Sequence, residues 1–486
     1  MTSRIHISIC QPPGYVHSLG FIDIARYARH QFRRLGAEVS IGKNRLREDA
    51  INIVLGAHLG FSVELLERHV CVFWNLEQLG QGGASVSAEY LALLSKSAVI
   101  DYDNRNLDSY GCREGEVPVV TFMHAPYLRQ PTMALEERPI DLLFIGGVND
   151  RRAKLIERVE AAGWNVTLFD GPLYGEDRDH FICQSKAVFN CHFYETSRVE
   201  QTRAFHVLSL GTPVISERIA LTSVPAQYEQ AVEWVTDETL EAFFKHEFMT
   251  PAWISRAKQQ LNHFAEQDDL PKWQVALQYC QAYREMREQS DVRLGRVWTP
   301  TRLNLGSGKD YKAGWLNVDI LERAKPDIVL DLSQPIDWPV QVPTVGGGEV
   351  RLEEGSLEHV YASNVLEHVP DLVSLMTNML KLLKEDGVFE IEVPYEKAPS
   401  AWQDPTHVRV FNRQSWIYYT EWFWYLGWFA ERFSIKSFSW RNQRSEPCEE
   451  FEASFMRVTL QKTATSAHER MIARTMHPEF FKIPEN

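Results

Sequence analysis

The stretch Leu303-Asn-Leu-Gly-Ser-Gly-Lys309 has the pattern of a short apolar strand that runs into a turn with two glycines. Two more strand-like segments follow at 316–320 and 328–330, and the first of them contains Asp319. Glycines let the backbone approach a ligand closely, and a carboxylate at the end of the next strand can accept both hydroxyls of a ribose. In this order, the segments predict an α/β unit that binds a nucleoside.

The pattern continues through Tyr361-Ala-Ser-Asn-Val-Leu-Glu-His-Val369 and a strand at 388–393 that ends at Pro394. From residue 301 to residue 462 the chain resembles the class I S-adenosylmethionine-dependent methyltransferases, which makes S-adenosylmethionine the expected cofactor. The resemblance implies roles for five residues: Gly306 and Gly308 on the methionine part of the cofactor, Asp319 on the ribose, Asp331 near the adenine, and Asn364 in the methyl-donor pocket.

The connection between the first two strands is shorter than in that family. The usual pattern has a third small residue and a helix, whereas only the eight residues Lys309 to Leu316 separate Gly308 from Asn317. We therefore expect a contracted crossover, which changes the geometry around the methionine carboxylate.

The segment Ala401-Trp-Gln-Asp-Pro-Thr-His-Val-Arg-Val-Phe-Asn412 occupies the family's usual acceptor region. Methyl transfer to a hydroxyl normally needs a base near neutral pH. His407 is the predicted base, and Asp404 is expected to orient it as a carboxylate orients a catalytic imidazole. His368 is the rival base. A rigid turn capped by Asp404 is the non-catalytic alternative.

Residues 416–433 hold ten aromatic residues in eighteen positions. Such a segment can form core, stack on sugar rings or lie in a membrane interface. Core is the favoured interpretation, because Glu421, Glu431 and Arg432 argue against deep burial in a membrane.

Repeated strand, turn and helix segments fill the first 290 residues, a pattern typical of parallel sheets covered by helices. The predicted fold class is therefore α/β, with two tandem Rossmann-like halves followed by a third Rossmann-like domain. The expected boundaries are 1–135 and 136–289 for the halves, 290–300 for a linker, 301–462 for the third domain and 463–486 for a polar tail.

The segment Phe189 to Glu217 contains a strand, a loop, a helix start with an acid and an arginine, and a Gly-x-Pro strand entry. A helix N-terminus offers N–H groups to phosphate, and an arginine adds a bidentate donor. The first two halves resemble the paired halves of GT-B glycosyltransferases, which implies a nucleotide-sugar co-substrate. By that resemblance, Gly146 and Gly147 border the donor phosphates, Glu200 and Arg203 contact the nucleotide sugar, and His206 stands where many relatives have a ribose-binding glutamate.

An acceptor-side base of this unit would come from the first half, although loop residues there are more often caps or turn formers; the residues after its strands include Gly14, His17, Glu77 and His124. Asp101-Tyr-Asp103 matches the metal-binding D-x-D of GT-A glycosyltransferases, but the tandem halves favour a simple turn. No metal site is predicted.

The composition is that of a soluble globular protein, since 44% of the 486 residues are hydrophobic and 24% are charged. The net charge of −14, without a basic patch, disfavours nucleic-acid binding. Seven scattered cysteines without C-x-x-C spacing, and the lack of a signal core or a long apolar run, predict a cytoplasmic protein with reduced thiols and no transmembrane anchor.

The two resemblances together predict a bifunctional enzyme of glycan modification, of the kind that assembles surface polysaccharides. It would transfer a sugar from a nucleotide-sugar donor and a methyl group from S-adenosylmethionine to a saccharide acceptor. The acceptor could be lipid-linked, which leaves peripheral membrane contact open. Two alternatives stand: a methyltransferase with a non-catalytic GT-B-like module that binds a glycan or a nucleotide, and an enzyme that hypermodifies nucleic-acid bases.

Overall fold

The computed structural model describes residues 3–130, 133–169, 171–193, 198–220, 222–290 and 296–476. The chain forms two compact units, which we call unit 1 (residues 1–292) and unit 2 (residues 293–486). Among the described residues, no helix combines the length and the apolar character needed to cross a membrane.

Unit 1 contains two five-stranded sheets in which every strand pair is parallel. The strands of the first sheet are β1 (Arg4–Ile9), β2 (Glu38–Lys43), β3 (Ile51–Leu55), β4 (Val70–Trp74) and β5 (Ala98–Ile100). Those of the second are β6 (Ile140–Leu143), β7 (Val166–Thr167), β8 (Ser185–Asn190), β9 (Val214–Glu217) and β10 (Glu233–Val235). The strand orders are β2-β1-β3-β4-β5 and β10-β9-β8-β6-β7.

Helices cover these sheets, and β3 and β4 are buried along their whole length as a result. The helices of unit 1 are α1 (Phe21–Arg34), α2 (Ala88–Ser95), α3 (Asp150–Ala161), α4 (Gly175–Gln184), α5 (Gln201–Ser209), α6 (Ala226–Glu229), α7 (Leu240–His246), α8 (Pro251–Ala265) and α9 (Leu270–Ser290). The last helix, α9, returns to the first sheet and packs against β3, β4 and β5.

Both sheets of unit 1 reverse their strand order next to their first strand. The reversal lies between β1 and β3 in the first sheet and between β6 and β8 in the second. Ligands of open α/β sheets bind outside the carboxyl ends of the strands at such a reversal. The loops that follow β1, β3, β6 and β8 are therefore the candidate positions for a ligand-binding site.

Unit 2 is built on one eight-stranded sheet and a separate two-stranded hairpin. Its strands are β11 (Arg302–Leu305), β12 (Leu316–Asp319), β13 (Ile328–Val329), β14 (Val340–Pro343), β15 (Glu349–Leu352), β16 (Leu357–Ser363), β17 (Leu383–Pro394), β18 (Glu431–Arg441), β19 (Pro447–Cys448) and β20 (Phe455–Ala464). Its helices are α10 (Leu372–Leu382), α11 (Ser400–Gln403), α12 (Ile417–Thr420) and α13 (Ala467–Met476).

The large sheet has the order β13-β12-β11-β16-β17-β20-β18-β19, and its order reverses between β11 and β16. Neighbouring strands in the series β13, β12, β11, β16 and β17 are parallel, whereas β20 is antiparallel to both β17 and β18. The mixed α/β class with parallel sheets agrees with the prediction. The long antiparallel pair of β18 and β20 was not predicted.

The connection from β11 to β12 contains no helix, as its length predicts, and two buried asparagines hold it together. Asn304 donates to the Asp310 carbonyl at 2.6 Å and to Asn317 Oδ1 at 3.0 Å. Asn317 in turn donates to the carbonyls of Lys312 and Trp315, both at 2.9 Å. These side chains satisfy the backbone of the short loop, so two parallel neighbours are joined without the usual helix.

The segment 119–122 does not form the strand that its apolar residues predict. Within the described chain it makes one isolated bridge, at Val119. The Val120 amide donates to the Asp101 carbonyl at 2.9 Å. The backbone groups of Phe122 bond side chains instead, because its amide donates to Gln201 Oε1 and its carbonyl accepts from Tyr228 Oη at 2.7 Å.

Helix α9 continues to Ser290, which is the first residue of the expected linker. Residues 291–295 of that linker lie outside the described residues. In the expected tail, α13 occupies Ala467–Met476, and residues 477–486 lie outside the described part of the chain.

Candidate functional site

The loops after β11 and β16 meet where the sheet of unit 2 reverses its strand order. Gly306 and Gly308 follow β11, and the segment from Asn364 to His368 follows β16. This edge is the binding position that the topology favours. The fold therefore places the glycine turn of the predicted cofactor site and the rival base His368 at the same edge of the sheet.

The glycine turn after β11 is tied to the end of β12 through a carboxylate. The Gly308 amide donates to Asp319 Oδ2 and the Leu321 amide donates to Oδ1, each at 2.8 Å. Both oxygens keep further lone pairs for a ligand hydroxyl. Ser307, inside the turn, has a buried hydroxyl without a hydrogen-bond partner in the described structure, and a Cβ on Gly308 would meet only the Gly306 carbonyl, at 3.8 Å. A nucleoside cofactor fits this open turn with its fixed carboxylate and orphaned hydroxyl.

Gly306, which is predicted to contact the methionine part of the cofactor, also packs closely against the loop after β16. A Cβ on this residue would lie 2.4 Å from Val365 Cγ2, so the bare Cα makes room for a side chain of the loop after β16. Its φ of +59° is also in the left-handed region that favours glycine. The structure thus gives Gly306 a packing role between the two loops of the site.

Asn364 and Asp331 differ sharply in their surroundings. Asn364 has a φ of +53°, and its amide donates to the Glu392 carbonyl of β17 at 2.9 Å. Strained backbone of this kind concentrates at functional sites. Asp331 is exposed and accepts hydrogen bonds from the amide and hydroxyl of Ser333, at 2.9 and 2.6 Å. The expected adenine contact is therefore also a cap of its own turn.

Glu367, His368 and His407 form a cluster at the end of the loop after β16. Each residue offers one ligand atom, and these atoms lie within 4.8 Å of one another. The two imidazole rings meet edge to face with centroids 4.7 Å apart, and His407 Nε2 lies 4.0 Å from Glu367 Oε1. The structure thus brings the predicted base and its rival together and adds a carboxylate to them.

Sequence reasoning misses Glu367, although its carboxyl is the least satisfied group of the cluster. Glu367 is 1% exposed, and neither carboxylate oxygen has a hydrogen-bond partner in the described structure. Burial raises the pKa of this carboxyl to about 7. A buried acid without a partner is costly and marks a functional site. The available signal is an acid next to His368, within a segment whose other residues, Val365, Leu366 and Val369, are apolar.

Asp404 does not orient His407, contrary to the prediction. Asp404 Oδ1 accepts from the amide and the hydroxyl of Thr406, at 2.9 and 2.6 Å, in a local turn. His407 Nδ1 is held instead by the Ala401 carbonyl, at 2.9 Å. The Thr406 hydroxyl also lies 3.0 Å from His368 Nδ1. Asp404 therefore acts through Thr406 on the other histidine.

A cleft of about 760 Å³ opens in unit 1 where loops of its two halves face each other. His17 and Glu77 line it from the first half, and Gly146, Gly147 and Arg203 line it from the second. Pockets of this size hold ligands such as nucleotides.

Three of the four predicted nucleotide-sugar residues line this cleft, and the fourth, Glu200, pairs with one of them. A Cβ on Gly146 would lie 3.0 Å from Arg203 Nη2, so the glycine admits the guanidinium over the turn. Arg203 pairs with Glu200 at 2.5 Å, and Glu200 also binds Arg152 at 2.8 Å. Arg152 donates to the Gly147 carbonyl at 2.7 Å. The acid and both arginines are thus already engaged with one another.

His206 is buried in an ion-pair network. Its Nε2 lies 2.7 Å from Asp179 Oδ1. Arg178 joins the same network and binds Asp179 at 2.8 Å and Asp23 of the first half at 2.9 Å. His206, which the resemblance to GT-B glycosyltransferases sets in place of a ribose-binding glutamate, is therefore a paired imidazole.

Asp101 and Asp103 lie in a turn. Asp101 is fully buried and accepts hydrogen bonds from Asn75 and Asn106, at 2.9 and 2.7 Å, and burial raises the pKa of its carboxyl to about 6. Asp103 accepts from the Arg105 amide at 2.9 Å. The two carboxylates therefore serve the local fold.

The aromatic segment 416–433 is divided between core and surface. Trp416 and Phe433 are fully buried, which accords with the core interpretation. Tyr418, Trp422 and Tyr425 are exposed, and the Tyr418 ring contacts the other two with centroids 5.2 and 5.7 Å away.

The family model described as a methyltransferase domain matches residues 88–441, which is more than half of the chain. Among solved structures, an S-adenosylmethionine-dependent methyltransferase from Mesorhizobium loti is 16% identical, with 37% of this chain and 96% of that chain covered and a TM-score of 0.23. Another, from Archaeoglobus fulgidus, is 13% identical, with 37% and 93% covered and a TM-score of 0.22. Among curated proteins, none matches.

Proposed function

The chain belongs to the methyltransferase domain family, and from that premise we propose that unit 2 transfers a methyl group from S-adenosylmethionine to a hydroxyl acceptor. The observation that carries this proposal is the carboxylate of Asp319, held by two backbone amides beside the orphaned hydroxyl of Ser307. When bound, S-adenosylmethionine supplies an electrophilic methyl group on a sulfonium centre.

The residues of unit 2 bind and orient the cofactor in this proposal. Asp319 accepts the ribose hydroxyls, and the Ser307 hydroxyl gains the partner that it lacks. Asp331 contacts the adenine, and Asn364, in its strained conformation, lines the pocket on the side of the methyl group. Gly308 keeps the turn open.

The acceptor lies against the cluster of Glu367, His368 and His407. A hydroxyl must lose its proton to become a good nucleophile, and a group beside it must favour that loss. His407 Nε2 and the unpartnered carboxylate of Glu367 are the groups available for this task.

Titration of S-adenosylhomocysteine into the full-length protein tests the cofactor site. We expect micromolar binding, about −8 kcal/mol, which weakens at least tenfold in Asp319→Ala because the ribose hydroxyls lose their acceptor. The exposed Asp337 of the same unit provides the control, and Asp337→Ala should bind within twofold of wild type. Absence of binding to folded wild-type protein would contradict the proposal.

Glycosyl transfer in unit 1 is a second candidate function, favoured by the cleft lined by Gly146, Gly147 and Arg203, the last of which pairs with Glu200. A nucleotide-sugar diphosphate would meet the two glycines and Arg203, because small residues and a guanidinium suit phosphate. The acceptor would be a saccharide, free or lipid-linked, and the same saccharide would serve the methyltransferase.

Titration with nucleoside diphosphates, together with an assay of sugar transfer, distinguishes a glycosyltransferase from a non-catalytic nucleotide-binding module. Arg203→Ala should abolish binding, whereas Arg218→Ala, which removes an arginine paired with Glu229 in the same half, should not. Binding together with sugar transfer or hydrolysis would support a glycosyltransferase. Binding alone would favour the non-catalytic module, and no binding would leave unit 1 without a nucleotide function.

A further inference from the structure

The carboxylate of Glu367 is buried without a counterion that holds it. Its two oxygens lack hydrogen-bond partners in the described structure, and its side chain is 1% exposed. The charged groups that act on it are His407, which favours its ionised form, and Asp404, which opposes that form. An ionised carboxyl in this position needs a cation within contact distance to offset the loss of its hydration.

The two histidines are oriented as metal ligands are. His407 Nδ1 is held by the Ala401 carbonyl at 2.9 Å, which leaves Nε2 free on the side of Glu367. A metal-bound histidine almost always donates its other ring N–H to a carbonyl, a carboxylate or a similar acceptor, which fixes the tautomer.

The second histidine is fixed by a relay. The Thr406 hydroxyl donates to Asp404 Oδ1 at 2.6 Å and therefore accepts from His368 Nδ1, 3.0 Å away. Nδ1 of His368 then carries the proton, and its Nε2 keeps a lone pair. The carbonyl and the relay thus leave an imidazole lone pair on both rings.

We propose that Glu367, His368 and His407 bind one divalent transition-metal ion, with zinc as the best match, and that the acceptor oxygen occupies an open position on this ion. Two imidazoles and one carboxylate form a donor set that catalytic zinc uses with a fourth position left free. Ligand atoms within 4.8 Å of one another can close on a single ion at bond lengths of about 2 Å with small side-chain movements.

The inference deepens the proposed methyl transfer and rests on it for the role of the ion. Coordination lowers the pKa of a bound hydroxyl, so its proton passes to water near neutral pH. The oxygen lone pair then forms the new C–O bond, and the electron pair of the breaking C–S bond returns to sulfur. The histidines serve as ligands, and the ion takes over the activation that His407 was predicted to perform.

Metal titration of the full-length, chelator-treated protein tests the site. We expect one equivalent of Zn²⁺ to bind, and one equivalent of Co²⁺ to give visible absorption bands of a nitrogen- and oxygen-ligated ion. Glu367→Gln and His407→Ala should each weaken binding at least tenfold. The exposed His468 of α13 provides the matched control, and His468→Ala should leave the affinity unchanged.

Titration of S-adenosylhomocysteine into the same preparations shows that the variants are folded and separates the two proposals. Equal Zn²⁺ binding by wild type, Glu367→Gln and His407→Ala would overturn the metal site, whatever the cofactor does. Cofactor binding without a zinc site would overturn this inference and leave the proposed function standing. A zinc site without cofactor binding would support the metal centre and overturn its assignment to methyl transfer.

Discussion

The carboxylates around the cleft of unit 1 are paired with arginines, whereas the buried carboxylate of the cluster in unit 2 is not. In unit 1, Asp23 and Asp179 share Arg178, and Glu200 lies between two arginines. In unit 2, Glu367 has no hydrogen-bond partner on either oxygen in the described structure. Paired charges hold the shape of a site, whereas an unpaired one keeps its coordination capacity for something that is not part of the chain. The second arrangement is therefore the stronger sign of chemistry.

Replacing Arg178, the arginine that Asp23 and Asp179 share, is the most direct test of this comparison. Arg178→Met leaves the buried Asp23 and the half-buried Asp179 without their common cation, and we expect a loss of about 3–5 kcal/mol in the free energy of unfolding of unit 1. Chemical denaturation measures the loss. The exposed pair of Arg218 and Glu229 supplies the control, since Arg218→Met should cost less than about 1 kcal/mol. Equal stability of Arg178→Met and wild type would show that the network does not hold the cleft.

A substitution at Gly306 tests the same comparison in unit 2, where close packing rather than ion pairing holds the loops of the site together. Gly306→Ala places a Cβ 2.4 Å from Val365 Cγ2 at a φ of +59°, and we expect a loss of about 1–3 kcal/mol in thermal or chemical denaturation. Adding Val365→Ala should recover part of this loss, because it removes the overlap.

The neighbouring glycine provides the control for that test. Gly308→Ala introduces backbone strain at a φ of +44°, but its Cβ would meet only the Gly306 carbonyl at 3.8 Å, so Val365→Ala should not improve it. If the double variant at 306 and 365 is no more stable than Gly306→Ala, the overlap is not the cause.

Asp101 of unit 1 is an intermediate case, since its partners are neutral. Asn75, Asn106 and Tyr110 donate to a carboxyl whose pKa burial raises to about 6. Between about pH 4 and pH 6 the folded state holds this proton while the unfolded state releases it, so the Asp101 contribution to stability falls as the pH rises through this window. The slope is at most about 1.4 kcal/mol per pH unit.

Denaturation at a series of pH values from 4 to 7 isolates this contribution. Asp101→Asn should remove that part of the slope, and the difference between the variant and wild type should become constant above about pH 6. Parallel stability curves across the window would contradict the assignment.

Elements with a strong local pattern could be predicted from the sequence. The apolar runs at 51–55 and 70–74 are strands with those bounds, and the turn at Gly306 and Gly308 joins two parallel strands with no helix after it. Residues 119–122 are also mostly apolar, yet they do not form a strand. The backbone of Phe122 is hydrogen-bonded to the side chains of Gln201 and Tyr228, which come from distant parts of the chain. No local pattern contains that information.

The residues of β20 (Phe455–Ala464) alternate between buried and half-exposed positions, a period of two that is also visible in the sequence. The candidate site shows the other limit. His368 and His407 could be predicted as site residues from their motifs. Glu367 stands out only because its carboxyl is buried, and that burial is created by tertiary packing. The expected pair of Asp404 and His407 failed for the same reason, since Thr406 and Ala401 are the nearer partners.

The short connection between β11 and β12 has a consequence for ligand selection by charge. A helix that starts at a glycine turn points several N–H groups and a positive dipole end at the ligand, which favours phosphate. Here Asn304 and Asn317 tie down a loop without a helix, and the Gly308 amide already serves Asp319. A ligand at this turn would therefore meet the Asp319 carboxylate and no helix N-terminus, so we expect the crevice to favour a nucleoside that carries a positive charge over polyphosphate nucleotides.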